Sequence, residues 1–279
     1  MRKIAHLSDL HFGKTDPDVL PALAATIKAA RPDVIVVSGD LTQRAKDHEF
    51  QAARAWLDTL AFPRIVVPGN HDVPLYNVFM RAFAPLTRYR RYFGDEMAPF
   101  HADGEIAIVG VNTARSLTFK DGRINREQVA ATYHRLHGVG EAAVRIIVTH
   151  HPFEHGGSEG HDLVGRASMA MTGFAGCRVD LILSGHLHAS GTGLSAKRYE
   201  LAGYSALMIQ AGTATSVRRR DEPNSFNMIH VDRLDDGRPR ITVERWTWNG
   251  EGRAFAASTA DRFTRKGAEW RGTEGQRLS

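Results

Sequence analysis

The apolar positions of the first 75 residues change period in a regular order. Ile4 to Ser8 is a short apolar strand, Val19 to Ala30 repeats at helical spacing, and Asp33 to Ser38 is apolar on both faces. A strand of that last kind belongs in the middle of a sheet covered by helices. A second helix over about Asp47 to Leu60 leads to the strand Arg64 to Val67, so the region reads as βαβ units. The rhythm breaks over 75–98, where Tyr76, Phe79, Phe83, Tyr89, Tyr92 and Phe93 are mixed with arginines. This predicts a small helical cap whose aromatic residues pack it onto the domain.

Alternation resumes with a strand over Glu105 to Val111, a helix from about Asn125 to His137, and the strand Val144 to Thr149. A helix near Leu163 to Ala175 and the strand Val179 to Leu183 follow. After His188 the pattern becomes strands joined by turns, over about 191–195, 198–201, 207–211, 226–231 and 240–248. That change predicts a second, mixed or antiparallel sheet packed against the first. The stretch 250–279 is rich in Arg, Gly, Ser and Thr and reads as a basic, poorly ordered C-terminal tail. Residues 1–249 then form a single domain carrying the 75–98 insertion.

With 279 residues and 42% hydrophobic content, the chain has enough apolar surface for one large core. The single cysteine, Cys177, excludes an internal disulfide framework, and Met1-Arg-Lys-Ile-Ala lacks the long apolar region of a secretory signal. No run approaches the roughly 18 apolar residues of a membrane span, and a cytoplasmic protein is expected. The formal charge of +5 and pI near 9.5 suit an anionic partner. Arginines cluster at Arg88, Arg90 and Arg91, at Arg218 to Arg220, and from Arg262 to Arg277. A solvated basic face is favoured for these over an active-site mouth that attracts phosphate esters. Few aromatic residues interleave with the charges, so a nucleic-acid partner is not favoured. Nothing in the pattern specifies an oligomeric state.

Five short segments alter this picture. They are Asp9-Leu-His11, Gly39-Asp40, Gly69-Asn-His-Asp72, His150-His-Pro152 and Gly185-His-Leu-His188, most of them just past the end of a predicted strand. Open α/β sheets place their sites there. Together they offer two carboxylates, Asp9 and Asp40, four histidines, His11, His150, His186 and His188, and the amide oxygen of Asn70. Such a mixed N/O set suits Mn, Fe, Zn or Co better than calcium. The alternation in Asp9-x-His11 and His186-x-His188 points each pair to one face of an extended segment. A carboxylate has two oxygens, which makes Asp40 the natural bridge between ions ~3.5–4 Å apart. Gly69 allows a tight turn that presents Asn70 while His71 faces the substrate. His150 directly follows its strand and is preferred over His151 as a ligand. His151 takes a supporting or substrate-facing role, and Asp72 orients the loop. His155 and His161 lie in a Gly-rich loop over 154–165 and read as solvated.

Two divalent ions and two carboxylates leave a charge of +2, and a bound hydroxide leaves +1. A phosphodiester neutralises that, whereas a monoester dianion overshoots. In the implied reaction a metal-bound water, its pKa lowered toward ~7, attacks phosphorus in line. His71 hydrogen-bonds a phosphoryl oxygen or protonates the leaving alkoxide.

The five blocks resemble the calcineurin-like metallophosphoesterase superfamily, whose pattern is D-x-H, G-D, G-N-H-[DE], H and G-H-x-H. The match spans residues 9 to 188. The resemblance implies a four-layer α/β/β/α sandwich of two mixed sheets. It assigns one ion to Asp9, His11, Asp40 and His188, and the other to Asp40, Asn70, His150 and His186, with a mixed Fe/Mn pair among the options. Ser8-Asp-Leu-His11, Gly39-Asp-Leu-Thr42 and His150-His-Pro152 look most like bacterial class III cyclic-nucleotide phosphodiesterases and their glycerophosphodiesterase relatives. No tyrosine follows shortly after Asp40, unlike a purple acid phosphatase. The expected activity is hydrolysis of small phosphodiesters such as 3′,5′-cyclic nucleotides. The alternative substrates are a lipid-linked pyrophosphate, a phosphomonoester or a nucleic-acid end. Presence of every ligand type weighs against a metal-free scaffold on the same fold.

Overall fold

The computed structural model describes residues 1–75, 77–116, 121–154, 163–217 and 222–277, with side chains through Gly272. Tyr76, His155, His161 and Arg218 to Arg220 lie outside the described residues, as does the side chain of Arg277. Two mixed sheets result, with strands numbered in chain order. The first runs β13 (Glu269–Arg277), β12 (Ala254–Lys266), β11 (Pro239–Asn249), β10 (Ser225–Arg233), β1 (Arg2–Leu7), β2 (Val34–Ser38) and β3 (Arg64–Val67). The second runs β4 (Phe100–Ala102), β5 (Ile106–Gly110), β6 (Val144–Val148), β7 (Leu181–Ser184), β9 (Leu207–Gln210) and β8 (Gly191–Leu194). The break between sheets therefore falls before β4, earlier than the change of pattern after His188. The late strands divide: β8 and β9 extend the second sheet, while β10 to β13 extend the first from β1.

Strand alternation builds the layers. Val34 and Val36 face inward with Ile65, meeting Ile108, Ile146, Leu183 and Ile209 of the other sheet in a core from which water is excluded. Their neighbours Ile35 and Val37 face outward onto α1 (Val19–Ala30) and α2 (Asp47–Asp58), which bring Leu23, Ile27, Phe50 and Leu57. On the other side Ile147 and Ile182 meet α5 (Arg126–His137) and α6 (Ala167–Gly176) through Leu136, Met171 and Phe174. These three apolar interfaces separate four layers. In an Ile146→Ala variant, a cavity opens between the sheets; urea unfolding is expected to show a loss of ~2–5 kcal/mol. A loss under ~1 kcal/mol would show that the sheets do not share a tight interior.

Local signals explain the helix ends. Asn125 Oδ1 accepts from Gln128 N at 2.8 Å and Gln128 Oε1 accepts from Asn125 N at 3.1 Å, a reciprocal cap for α5. Glu49 Oε2 accepts from the backbone N of Arg44 and Lys46 at 2.8 and 3.2 Å, securing the start of α2. The 75–98 segment holds two short helices, α3 (Val78–Phe83) and α4 (Thr87–Phe93). Tyr89 is buried and donates to Val66 O at 2.9 Å, while Arg91 pairs with Asp47 and Arg88 donates to Ala45 O. Phe79 and Phe83 behave differently, being 74% and 76% exposed.

Two expectations change. Residues 198–201 do not form a strand; a 3-10 turn over Ser195–Lys197 precedes them, and Tyr199 N bonds back to Ser195 O at 2.8 Å. Tyr199 and Leu201 pack with the second helical layer instead of pairing. The 250–279 stretch, expected to be poorly ordered, supplies β12 and β13. Phe255, Ala260, Phe263 and Trp270 are buried there, and apolar anchors spaced among the charges hold a long ribbon in place. Trp270 Nε1 and Arg265 Nη1 both donate to Asp180 Oδ1, at 3.2 and 2.6 Å, tying the ribbon to the start of β7. Burial pushes the Asp180 carboxyl up, and Arg265 opposes it.

Candidate metal centre

The C-terminal ends of β1, β2, β3, β6 and β7 meet at one edge of the sandwich and bring the five segments together. Asp9, His11, Asp40, His186 and His188 all have left-handed backbone, with φ of 53°, 49°, 51°, 75° and 57°. The Asp9/His11 and His186/His188 pairs are therefore not extended. Each side chain is turned inward by a kink that costs an L-residue of order 1 kcal/mol and persists because neighbours fix it. Asp9 N donates to Gly39 O at 3.1 Å, His11 N to Asp40 O at 2.9 Å and Phe12 N to Leu41 O at 2.8 Å. These bonds run the loops after β1 and β2 side by side.

Two ligand clusters result. In the first, His188 Nε2 lies 3.2 Å from both His11 Nε2 and Asp9 Oδ1, and Asp40 Oδ2 is 3.8 Å from His11 Nε2. In the second, His150 Nε2 lies 3.0 Å from Asn70 Oδ1, 3.2 Å from His186 Nδ1 and 3.5 Å from Asp40 Oδ1. The two oxygens of Asp40 thus face different clusters. His151 comes near as well: its ring is 4.6 Å from that of His186, and potential ligand atoms of His150, His151 and His186 lie within 4.8 Å of one another. Thr113 Oγ1 lies 2.8 Å from His151 Nδ1 and helps to hold the ring in place.

The surroundings fix tautomers. His150 Nδ1 donates to Ser38 O at 2.8 Å, so its Nε2 lone pair points into the cluster, the usual way an outer partner orients a ligating imidazole. Ser8 Oγ and His186 N donate to Asp9 Oδ2 at 2.6 and 3.0 Å, while Asp9 Oδ1 is buried and makes no hydrogen bond. Burial pushes the Asp9 and Asp40 carboxyls up, but the surrounding histidines, His188 foremost for Asp9 and His150 for Asp40, hold both below the usual range. Burial pushes His11 down to about 4, which keeps its ring neutral and able to ligate. Among the described residues neither carboxylate pairs with lysine or arginine, only with histidines. Two buried negative charges with neutral imidazoles around them need cations. The donor set fits a pair of transition-metal ions: Asp9, His11, Asp40 and His188 about one, and Asp40, Asn70, His150 and His186 about the other.

Close approach explains two glycines. A Cβ on Gly69 would sit 2.1 Å from Asp40 Oδ1, and one on Gly185 would sit 1.7 Å from Ser8 Oγ. Gly69 itself has extended backbone, so space beside Asp40 is what requires it there, not the tight turn expected. Asp72 is buried and accepts four bonds, from Thr42 N, Thr42 Oγ1, Leu41 N and Gly69 N at 2.8–3.1 Å. It clamps the Asp40 loop to the Asn70 loop; burial, then the charge of Asp40, push its carboxyl up to about 6. An Asp72→Ala variant is expected to bind Mn²⁺ ~10–100-fold more weakly by titration calorimetry. An unchanged affinity would remove the clamp from the account.

His71 stands half-buried beside the first cluster, its ring 4.9 Å from that of His11 and edge-on to it. His71 N donates to Asp40 Oδ1 at 2.8 Å and its Nδ1 donates to Gln43 O at 2.9 Å. Gln43, Ser38 and Thr113 were not legible as parts of the site. The usable signal for Thr113 is its place just beyond β5, the same strand end that marks the ligand segments.

A model of the calcineurin-like phosphoesterase family matches residues 2–190, more than half of the chain. The chain belongs to that family. Its members are metal-dependent phosphoester hydrolases with a dinuclear metal centre. Over 80 residues the chain is 36% identical to the glycerophosphodiester phosphodiesterase GpdQ of Enterobacter lignolyticus, covering 25% of this chain and 29% of that one. A probable cyclic nucleotide phosphodiesterase of Synechococcus is 27% identical over 217 residues, 69% of this chain and 76% of its own. The fold resembles a purple acid phosphatase from yellow lupin with a TM-score of 0.68 at 12% identity, over 88% of this chain and 51% of the lupin chain. Less than a third of GpdQ and about half of the lupin protein are thus spanned. Among the described residues no helix is long and apolar enough to cross a membrane.

Proposed function

We propose that the protein is a dinuclear phosphodiesterase that hydrolyses small diesters, 3′,5′-cyclic nucleotides among them, with two ions drawn from Mn, Fe, Zn and Co. The observation that carries this is Asp40, whose two oxygens face two separate clusters of histidine and carboxylate ligands. Two such ions, when bound, acidify a water nucleophile and neutralise charge on the phosphoryl oxygens. Asp9 and Asp40 lower the charge of that assembly to one that a monoanionic diester matches more closely than a dianionic monoester does. Relatives whose names describe a cyclic nucleotide and a glycerophosphodiester phosphodiesterase favour the same class.

His71 supplies the proton. Its Nδ1 donates to Gln43 O, and Nε2 is the nitrogen assigned here to the leaving group. Transfer from Nε2 of the imidazolium to the departing alkoxide leaves a neutral ring whose remaining proton stays on Gln43 O. The lone buried Cys177 accords with a cytoplasmic setting. A panel of cyclic AMP, a glycerophosphodiester, bis(p-nitrophenyl) phosphate, the matching monoesters and nucleic acids, assayed with Mn, Fe, Zn, Co and Mg, tests the proposal. Diesters are expected to turn over fastest; activity on monoesters alone would sink it.

A further inference from the structure

A cavity of about 550 Å³ lies at the opposite end of the second sheet from the metal centre. Arg145, near the start of β6, lines it, and His150 follows the far end of the same strand, ~16 Å away at ~3.3 Å per residue. A ligand here cannot reach the metal ligands, so the cavity is not a subsite of the reaction. Its size lies within the range of small-molecule sites.

Its charge is distinctive. Arg145 Nη1 donates to Cys177 O at 2.9 Å and Nη2 to Val139 O at 3.4 Å, while Nε is buried without a partner. Among the described residues its side chain pairs with no carboxylate, because Asp180 takes the Arg145 backbone N and the guanidinium of Arg265 instead. Arg178 is exposed on the same lining, and no side-chain partner holds it among the described residues. Glu141, exposed, is the remaining carboxylate of the lining, so the arginines leave an excess of one positive charge. Two neutral carbonyls orient Arg145 without neutralising it, as an anion site requires. Along one wall the rings of Tyr133 and His137 stack on each other, 5.4 Å apart and 17° from parallel, on the exposed face of α5. A planar heterocycle finds a flat aromatic surface there.

We propose that this cavity is a second, non-catalytic site that takes a nucleotide, the phosphate on Arg145 and Arg178 and the base against the Tyr133–His137 pair. The site rests on its own geometry, independently of which diester the metal centre hydrolyses.

Calorimetric titration of AMP into the metal-loaded full chain tests it. Beyond any AMP held as product at the metal centre, the wild type is expected to bind one further equivalent, and that binding weakens about tenfold or more in Arg178→Glu, the loss of a charge-assisted contact. It is expected to weaken about fivefold or more in Tyr133→Ala, the loss of a stacked base. Both side chains are exposed, and turnover of bis(p-nitrophenyl) phosphate at saturation should be unchanged in both variants. AMP binding in Arg178→Glu that matches the wild type would overturn the site. Inorganic phosphate bound as tightly as AMP, or a Tyr133→Ala variant with unchanged AMP affinity, would overturn its assignment to a nucleotide.

Discussion

An Asp40→Ala variant is expected to lose at least ~10³-fold in kcat/KM on bis(p-nitrophenyl) phosphate, the worth of several kcal/mol of metal-ion assistance. Asp40 is shared: Oδ1 faces the cluster of Asn70, His150 and His186, and Oδ2 faces His11. Its removal takes one oxygen from each cluster and also frees His71 N, which Oδ1 holds at 2.8 Å. The metal count should fall in step with activity, from two equivalents to fewer, read by elemental analysis after desalting. His188→Ala, which removes a ligand from the first cluster alone, should leave one equivalent. Full activity of Asp40→Ala with two bound ions would refute the shared-ligand arrangement.

The second large effect depends on the leaving group. A His71→Ala variant is expected to lose ~10²–10⁴-fold on cyclic AMP, whose departing ribose alkoxide needs a proton. On bis(p-nitrophenyl) phosphate, whose p-nitrophenolate departs readily without one, the loss should be under ~10-fold. The contrast separates proton donation from mere positioning, which would slow both substrates alike. Metal content should remain at the wild-type level, because His71 stands outside both clusters. A uniform loss on both substrates would assign His71 to binding a phosphoryl oxygen only.

The ligand segments were legible because chemistry and position coincide: most of them follow strands whose apolar pattern is plain, such as Val34 to Val37. Sheet membership was not legible, because a strand's neighbours are chosen across the chain. Ile4 pairs with Val34 on one side and Ile229 on the other, and only the first partner is close in sequence. The backbone at Asp9 and His11 departs from the extended form for a similar reason. Their left-handed turns are stabilised by carbonyls of Gly39 and Asp40, which no local pattern announces. The ribbon after Asn249 was hidden by its charges: Arg262, Lys266 and Arg271 are exposed among its described side chains, and its few apolar anchors are widely spaced. Orienting groups such as Ser38 and Gln43 act through backbone carbonyls, which carry no residue signature at all.

The position of β1 sets the order of events during synthesis. Arg2 pairs with Val231, so β1 lacks one neighbour until the residues of β10, more than two hundred positions later, have emerged from the ribosome. Such distant pairing carries a large entropic cost before any contact rewards it, and it slows folding. Nascent chains arrested before Ser225 should be cleaved by protease within residues 2–67, and chains released beyond Asn249 should resist. The half of the metal site carried by β1, β2 and β3 is therefore the earliest made and among the last to be secured.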